Sequence, residues 1–178
     1  MSSRREALLV LQARAGDRKA LEQLLLNVQG RLLAYVTGVV GRTAADDVLQ
    51  EVLLQIYRQL KWLREPELFI PWTYRIASRA SFKFLKRVRR LPMAEEESRP
   101  LEDCGQILQP ELKFFCELPE LLERLSPGSR AVLHLHYLQD LPLNDIAAIL
   151  EIGVGTVKSR LAYGLSCLRE IVIGKEKV

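Results

Sequence analysis

The chain has 178 residues, enough for one ordinary domain or two small ones, and its 48% apolar content allows a true hydrophobic core. A net charge of +4 and an isoelectric point near 9.1 make it mildly basic, so the position of the cations matters more than their number. No apolar run approaches the roughly 18 residues of a membrane-spanning helix, and the N-terminus is a poor signal peptide. These features predict a cytoplasmic protein that does not insert into a membrane.

The first third of the chain predicts three amphipathic helices. Apolar residues recur at helical spacing over Arg4–Ala15 and Arg18–Val40, and the pair Gly16-Asp17 ends the first helix and caps the second. A third helix is expected over Ala44–Leu60, opened by a capping box at Thr43–Asp46. Opposite its apolar side this helix carries a wetter face, formed by Asp47, Gln50, Glu51 and Gln55.

A loop over Lys61–Glu67 leads into a basic fourth helix, predicted from Pro71 to Arg90. Trp72, Ile76 and Leu85 are expected to pack in the core. Because cations follow a phosphate backbone and aromatic faces stack on unpaired bases, such a helix favours nucleic acid over a merely solvated surface. Its cations, with no acid among them, are Arg75, Arg79, Lys83, Lys86, Arg87, Arg89 and Arg90.

The composition changes between Leu91 and Pro110, where prolines and the acidic run Glu95–Glu97 replace most large apolar residues. This change predicts a flexible linker. We therefore expect an all-α protein made of two small helical domains, residues 1–90 and 111–178, joined by a flexible linker over residues 91–110.

The C-terminal half predicts a helix that starts at Ser126-Pro127, followed by a helix-turn-helix within Leu141–Arg169. Glycines at 153 and 155 interrupt the pattern at the turn. Hydroxyls and long cations near the start of a second helix suit the DNA major groove, although an ordinary helical hairpin would show the same pattern. The polar face of the second helix carries Thr156, Lys158, Ser159, Arg160 and Tyr163.

Catalytic and metal-binding patterns are not apparent. Cys104, Cys116 and Cys167 lack CxxC spacing and are expected to be reduced thiols. His134 and His136 would point to different faces of a helix, which disfavours a metal pair. No nucleophile stands with a matching base, so we expect no cofactor and no metal, and an enzyme such as a helical hydrolase is disfavoured.

Three stretches resemble known sequence patterns, in the right order: DDVLQEV from Asp46, FIPWTYRIA from Phe69, and GTVKSRL from Gly155 behind a DIAAIL helix. Together they resemble the bacterial sigma-70 family, and the size and N-terminal half are similar to its extracytoplasmic-function (group IV) members. The resemblance extends from about Gly16 to Glu170. It implies an alternative sigma factor that binds core RNA polymerase, recognises −35 and −10 promoter DNA and promotes melting, with an anti-sigma factor as a further partner.

The resemblance also implies roles for single residues. Contacts with core RNA polymerase are expected at Asp47, Gln50, Glu51 and Gln55. Contacts with the −10 element are expected at Lys61, Trp62, Arg64, Tyr74, Arg75, Arg79, Lys83 and Lys86. Contacts with the −35 element are expected at Arg130, Gly155, Thr156, Lys158, Ser159, Arg160 and Tyr163.

Four residues depart from the family pattern. Thr73 replaces a common Leu, Arg79 a common Asn and Lys83 a common Asp. Glu151 stands where Gly usually ends the first helix of the helix-turn-helix, which costs roughly 1 kcal/mol if φ is positive there, unless the turn is reshaped around Gly153.

The alternative function is a stand-alone helix-turn-helix regulator, which would bind its operator tightly without polymerase.

Overall fold

The computed structural model describes residues 2–89 and 125–175, with side chains described over 4–88 and 125–169. Within these ranges the chain forms helices and turns and contains no strand, which confirms the prediction of an all-α fold. The chain divides into two compact units, Met1–Val88 and Arg89–Val178. The predicted linker, residues 91–110, lies outside the described residues.

The N-terminal unit contains four helices in its described part. Between the third and the fourth lie two short 3-10 turns, Leu60–Trp62 and Pro66–Leu68. The cap predicted for the second helix is confirmed, because the Asp17 carboxylate accepts hydrogen bonds from the backbone N–H groups of Lys19 at 2.9 Å and Ala20 at 3.2 Å. The helices are α1 (Ser2–Arg14), α2 (Arg18–Val40), α3 (Arg42–Gln59) and α4 (Phe69–Arg89).

A single residue, Gly41, joins α2 to α3. Its φ of 88° and ψ of 164° lie outside the range that L side chains favour, and its N–H donates to the Thr37 carbonyl oxygen at 2.9 Å. The predicted capping box at Thr43–Asp46 is therefore wrong. Helix α3 starts at Arg42, which places Thr43 inside its first turn, and no side chain caps the helix.

Helix α4 starts at Phe69, so Pro71 lies in its first turn, where the missing N–H would have no acceptor within the helix. Of the residues expected in the core, Ile76 is buried, whereas Trp72 and Leu85 are half-buried. Phe69 is fully buried, and its ring centroid lies 6.2 Å from that of Trp72. The expectation for the core face of α4 is thus right for Ile76 and too strong for the other two residues.

A buried contact joins α2 to α4. Tyr35 OH and Ser78 Oγ form a hydrogen bond of 2.6 Å, and the rings of Tyr35 and Tyr74 meet edge to face with centroids 5.5 Å apart. Burial raises the pKa of both phenols, so both remain neutral. Thr73 is also buried, and its hydroxyl donates to the Ile70 carbonyl oxygen at 2.8 Å. The helix itself therefore satisfies a polar side chain at a position where Leu is common.

The C-terminal unit has three helices in its described part: α5 (Pro127–Leu133), α6 (Leu143–Leu150) and α7 (Val154–Lys175). As predicted, Ser126 caps α5, and its Oγ accepts from the Ser129 N–H at 3.2 Å. A π-helical turn over His134–Leu138 follows α5. The Nδ1–H of His136 donates to the Leu141 carbonyl oxygen at 3.0 Å, which fixes the approach to α6.

In the turn between α6 and α7, Glu151 itself adopts the positive φ, and the turn is not reshaped around Gly153. Glu151 has φ 58° and ψ 41°, the left-handed conformation, and Gly153 does not have a positive φ. The backbone N–H of Ile152 donates to the Ala147 carbonyl oxygen at 3.1 Å, and so does that of Glu151. The turn therefore keeps the geometry that Gly would favour, and Glu151 bears the conformational cost.

Helix α7 packs closely on α5 and α6. Val157 and Leu161 are buried, together with Ile146 and Ile149 of α6. A Cβ added at Gly164 would lie 2.8 Å from Leu133 Cδ1, so glycine permits the close approach of α7 to α5. This packing leaves the start of α7 at the surface.

Candidate nucleic-acid interface

The polar face of α3 is a continuous exposed surface. Asp47, Gln50 and Glu51 are exposed and Gln55 is half-buried. Their spacing places them on one side of the helix, because residues three and four apart are neighbours. Val48, Val52 and Ile56 on the other side are buried, so packing in the unit leaves the polar face open.

Two large apolar side chains on the same face were not predicted. Leu54 is 48% exposed and Tyr57 is 59% exposed. Leu54 follows Gln50 by four residues and Tyr57 follows Leu54 by three, which continues the face along the helix. Exposed apolar groups bordered by polar ones are typical of protein–protein contacts. Steps of three and four residues from Asp47 place both on this face. They were missed because other apolar residues of the helix, which belong to its core side, stand next to them in the sequence.

Glu51 connects this face to α4. Its Oε1 accepts a hydrogen bond from Gln55 Nε2 at 3.1 Å. The same oxygen lies 3.5 Å from Lys83 Nζ, with the two side chains 46% and 77% exposed. One carboxylate on the α3 face thus pairs with a cation of the basic helix.

The loop between α3 and α4 is anchored by two leucines and exposes its polar residues. Leu60 and Leu63 are buried, while Lys61, Trp62 and Arg64 are exposed. Trp62 is 72% exposed, and Lys61 Nζ lies 4.9 Å from the centroid of its ring. A tryptophan displayed on the surface with cations beside it can stack on an unpaired base.

The basic residues of α4 form a stripe along its outer face. Arg79, Lys83 and Lys86 are exposed, and Arg75 is half-buried. Steps of three or four residues align them on one side of the helix. Tyr74, by contrast, is only 2% exposed and packs edge to face on another ring. The prediction that Tyr74 contacts DNA is therefore wrong, because its side chain forms part of the core.

The start of α7 carries the residues predicted for the major groove. Gly155, Lys158 and Tyr163 are exposed. Thr156 and Ser159 are half-buried, and the Ser159 hydroxyl donates to the Thr156 carbonyl oxygen at 3.1 Å. The exposed residues give this end of the helix a mixed face of backbone, cation and phenol, which suits contacts with phosphates and base edges.

The two arginines predicted in this unit differ in position. Arg160 is half-buried, and its guanidinium lies against Gly128 at the start of α5. Arg130 is 6% exposed and lies inside the unit, so the prediction that it contacts a phosphate is corrected. Its sequence position in the first turns of α5 matched the family pattern, but the packing of α5 turns that residue inward.

Within the described ranges, no cluster of three or more His, Cys, Asp or Glu residues is suited to a metal ion. No helix in the described part is both long and apolar enough to cross a membrane. Cys167 is a half-buried free thiol. An open groove of about 320 Å³ between α1 and α2 is lined by Arg5, Glu6, Leu9, Gln23, Asn27 and Arg31, none of them a predicted site residue.

The surfaces described above lie within two parts of the chain that match models of known protein families. Residues 24–91 match the family model of sigma-70 region 2, and residues 121–170 match that of sigma-70 region 4. The ECF RNA polymerase sigma-E factor of Escherichia coli K12 is 31% identical over 168 residues, which cover 88% of each chain. The chain belongs to the ECF sigma factors of the sigma-70 family. The sigma-E factor of Haemophilus influenzae is 30% identical over 86% of this chain and 87% of its own.

Solved structures show that this ECF sigma factor has a known fold. CnrH, solved in complex with the cytosolic domain of CnrY, matches with a TM-score of 0.68 and 21% identity over 95% of this chain and 97% of its own. The sigma factor RpoE of Bartonella quintana, solved with the anti-sigma factor NepR, matches with a TM-score of 0.65 and 23% identity over 86% and 97%. Together, the two family-model matches and the sigma-E relatives show that the chain is an alternative sigma factor that contains sigma-70 regions 2 and 4.

Proposed function

We propose that this ECF sigma factor docks on core RNA polymerase through the exposed face of α3. One observation supports this proposal most directly. The same unit exposes two surfaces, the α3 face with its polar and apolar side chains and the basic stripe of α4. Asp47, Gln50, Glu51 and Gln55 would provide polar contacts. Leu54 and Tyr57 would provide the apolar centre that such an interface needs.

The same unit would hold the −10 element as an opened strand. Arg75, Arg79, Lys83 and Lys86 would follow the phosphates, since each cation that neutralises a phosphate releases a counterion. The exposed loop residues Lys61, Trp62 and Arg64 would receive an unstacked base. Opening a duplex costs a few kcal/mol per unstacked step, and stacking on an aromatic ring can offset it.

The start of α7 would read the −35 element in the major groove. Lys158 and Tyr163 are exposed there, and Arg160 lies beside them on the helix. Thr156, Ser159 and the backbone at Gly155 would contact phosphates. Because the two units would bind one promoter through the linker, each contact can be weak and the pair still strong.

Further parts of the proposal concern partners, catalysis and location. CnrH and RpoE were each solved with a second protein, which for RpoE is an anti-sigma factor. We propose that an anti-sigma factor also binds this chain and restrains it. We also propose that the chain acts in the cytoplasm, where transcription occurs, and has no catalytic activity of its own.

Run-off transcription tests the function directly. Bacterial core polymerase is incubated with a panel of genomic promoter fragments, with and without the protein. Discrete start sites that appear only with the protein would support the proposal and identify the promoter. If no fragment responds while the protein alone shifts duplex DNA tightly, the stand-alone regulator is the better reading. If neither occurs, co-purification with core distinguishes an inhibited sigma factor from a wrong assignment.

A further inference from the structure

The contact between Glu51 and Lys83 joins two surfaces to which different partners are assigned. Glu51 belongs to the α3 face proposed for core polymerase, and Lys83 belongs to the α4 stripe proposed for the DNA strand. Lys83 Nζ lies 3.5 Å from Glu51 Oε1, and the two residues are 32 positions apart in the chain. The charge that each surface presents therefore depends on a residue of the other surface.

The charges of this pair bear on DNA binding. In the free protein the Glu51 carboxylate neutralises part of the charge that Lys83 would offer to a phosphate, and it repels the phosphate itself. Gln55 Nε2 donates to the same oxygen at 3.1 Å, which fixes the carboxylate on the side of α3. The pair is open to solvent, so exchange of partners needs no rearrangement of the core.

We propose that Glu51 holds Lys83 in the free protein and that docking of core polymerase on the α3 face releases Lys83 to the DNA strand. This inference rests on the proposed function of both surfaces. Polymerase that takes up the Glu51 carboxylate leaves Lys83 without its counter-charge, next to the other cations of α4. Because such coupling is reciprocal, a strand bound at Lys83 also makes Glu51 more available to polymerase.

A double-mutant cycle on the full chain tests the coupling. Binding of a fluorescent mixed-sequence single-stranded 12-mer is measured by anisotropy for the wild type, Glu51→Gln, Lys83→Gln and the double variant. Glu51→Gln removes the charge and keeps the shape. We expect it to tighten binding about two- to four-fold, the range for an exposed ion pair. In the free chain Lys83→Gln should weaken binding and reduce the salt slope by less than about 0.7, the value for one full phosphate contact on a single strand, because Glu51 still pairs with Lys83 there.

A matched control separates the pair from net charge. Glu22 is exposed on α2, a helix that carries neither of the two proposed surfaces, and Glu22→Gln makes the same change of charge there. The inference holds if Glu51→Gln tightens binding more than Glu22→Gln does, and if this excess shrinks in the Lys83→Gln background, where only the direct repulsion of the phosphate by Glu51 remains. An excess that is undiminished without Lys83, or no excess at all, overturns it.

A second measurement uses the holoenzyme. If docking frees Lys83, the loss caused by Lys83→Gln should be about two- to four-fold larger in strand binding by the holoenzyme than by the free chain. Equal losses would overturn the coupling and leave the proposed function intact. If Lys83→Gln has no effect in either form, the assignment of Lys83 to DNA fails, and the inference fails with it. Run-off transcription by the wild-type chain tests the proposed function independently of both outcomes.

Discussion

The guanidinium of Arg160 lies so close to Gly128 that a Cβ atom there would be 2.9 Å from both Arg160 Cζ and Nη1. Arg160 is on α7 and Gly128 is in the first turn of α5, so this contact joins the proposed recognition helix to its neighbour. Gly128 does not have a positive φ, and its role is therefore to leave space rather than to permit a special backbone conformation. The contact positions a long, flexible side chain before any DNA is bound.

Gly128→Ala should displace the Arg160 side chain and weaken −35-dependent transcription. The loss should be smaller than that of Arg160→Ala, because the guanidinium is moved and not removed. The free energy of unfolding should hardly change, since the end of a flexible side chain can shift and Ala is the better helix former. Run-off transcription paired with thermal melting measures both quantities, and unchanged transcription would show that the contact does not position Arg160.

Gly164→Ala provides the contrasting case. Its Cβ would lie 2.8 Å from Leu133 Cδ1 and 3.5 Å from Ser129 Cβ, and both neighbours are buried. Overpacking of this kind typically costs about 1–3 kcal/mol. We expect native-state hydrogen exchange to show faster opening of α5 and α7 and unchanged protection of α2 and α3. Wild-type protection throughout would indicate that the two helices separate easily.

Arg160→Ala and Glu51→Ala should separate the two proposed binding functions. A guanidinium that contacts a base edge contributes about 1–3 kcal/mol, so Arg160→Ala should reduce −35-dependent transcription roughly 5- to 150-fold while core binding stays intact. Glu51→Ala should show the reverse, with weaker core binding and unchanged binding of the C-terminal unit to duplex DNA. Equal loss of core binding in Arg160→Ala would contradict its assignment. Unaltered core affinity in Glu51→Ala would remove that residue from the polymerase face.

Trp62→Ala should impair promoter opening and leave the fold unchanged, because the side chain is 72% exposed. Stacking of one base on an aromatic side chain contributes about 1–3 kcal/mol, and Trp62→Phe should retain part of it. The permanganate reactivity of unpaired thymines in the holoenzyme complex reports the open state. If the alanine and phenylalanine variants open promoters equally well, Trp62 does not receive a base.

Glu151→Gly should stabilise the turn between α6 and α7 by up to about 1 kcal/mol, because glycine adopts the left-handed conformation without the steric cost of a Cβ atom. Gly153→Ala is the matched control, since Gly153 does not have a positive φ. Hydrogen exchange of the α6 amides measures the difference. A destabilised Glu151→Gly variant would mean that the contacts of the glutamate side chain outweigh its backbone strain.

Sequence periodicity predicted the helices and the exposed positions well, because both depend on local spacing. Helix α2 was predicted at its observed bounds, and the caps at Asp17 and Ser126 follow from the short-range chemistry of their own side chains. The start of α3 was wrong because Gly41 breaks the helix through its own φ, a feature that competes with a nearby Thr-to-Asp pattern.

Long-range packing accounts for the remaining errors. Tyr74 and Arg130 were assigned to DNA from residue type and family position, yet both are buried. Tyrosine and arginine side chains each combine an apolar part with a polar end. The residue type alone therefore does not determine whether neighbouring helices bury the side chain or leave it exposed. The Glu51–Lys83 pair was equally inaccessible from sequence, because it depends on how α3 and α4 lie side by side.

The loop between α3 and α4 contains two kinds of residue, buried leucines that anchor it and exposed residues that can contact a partner. Leu60 and Leu63 fix its backbone from inside, and Lys61, Trp62 and Arg64 project outward. Substitutions at the outward positions therefore change little of what keeps the unit folded. If these side chains receive the −10 base as proposed, a gene duplicate could acquire a new promoter preference by exchanging them alone, and a designer could graft a different set onto the same scaffold.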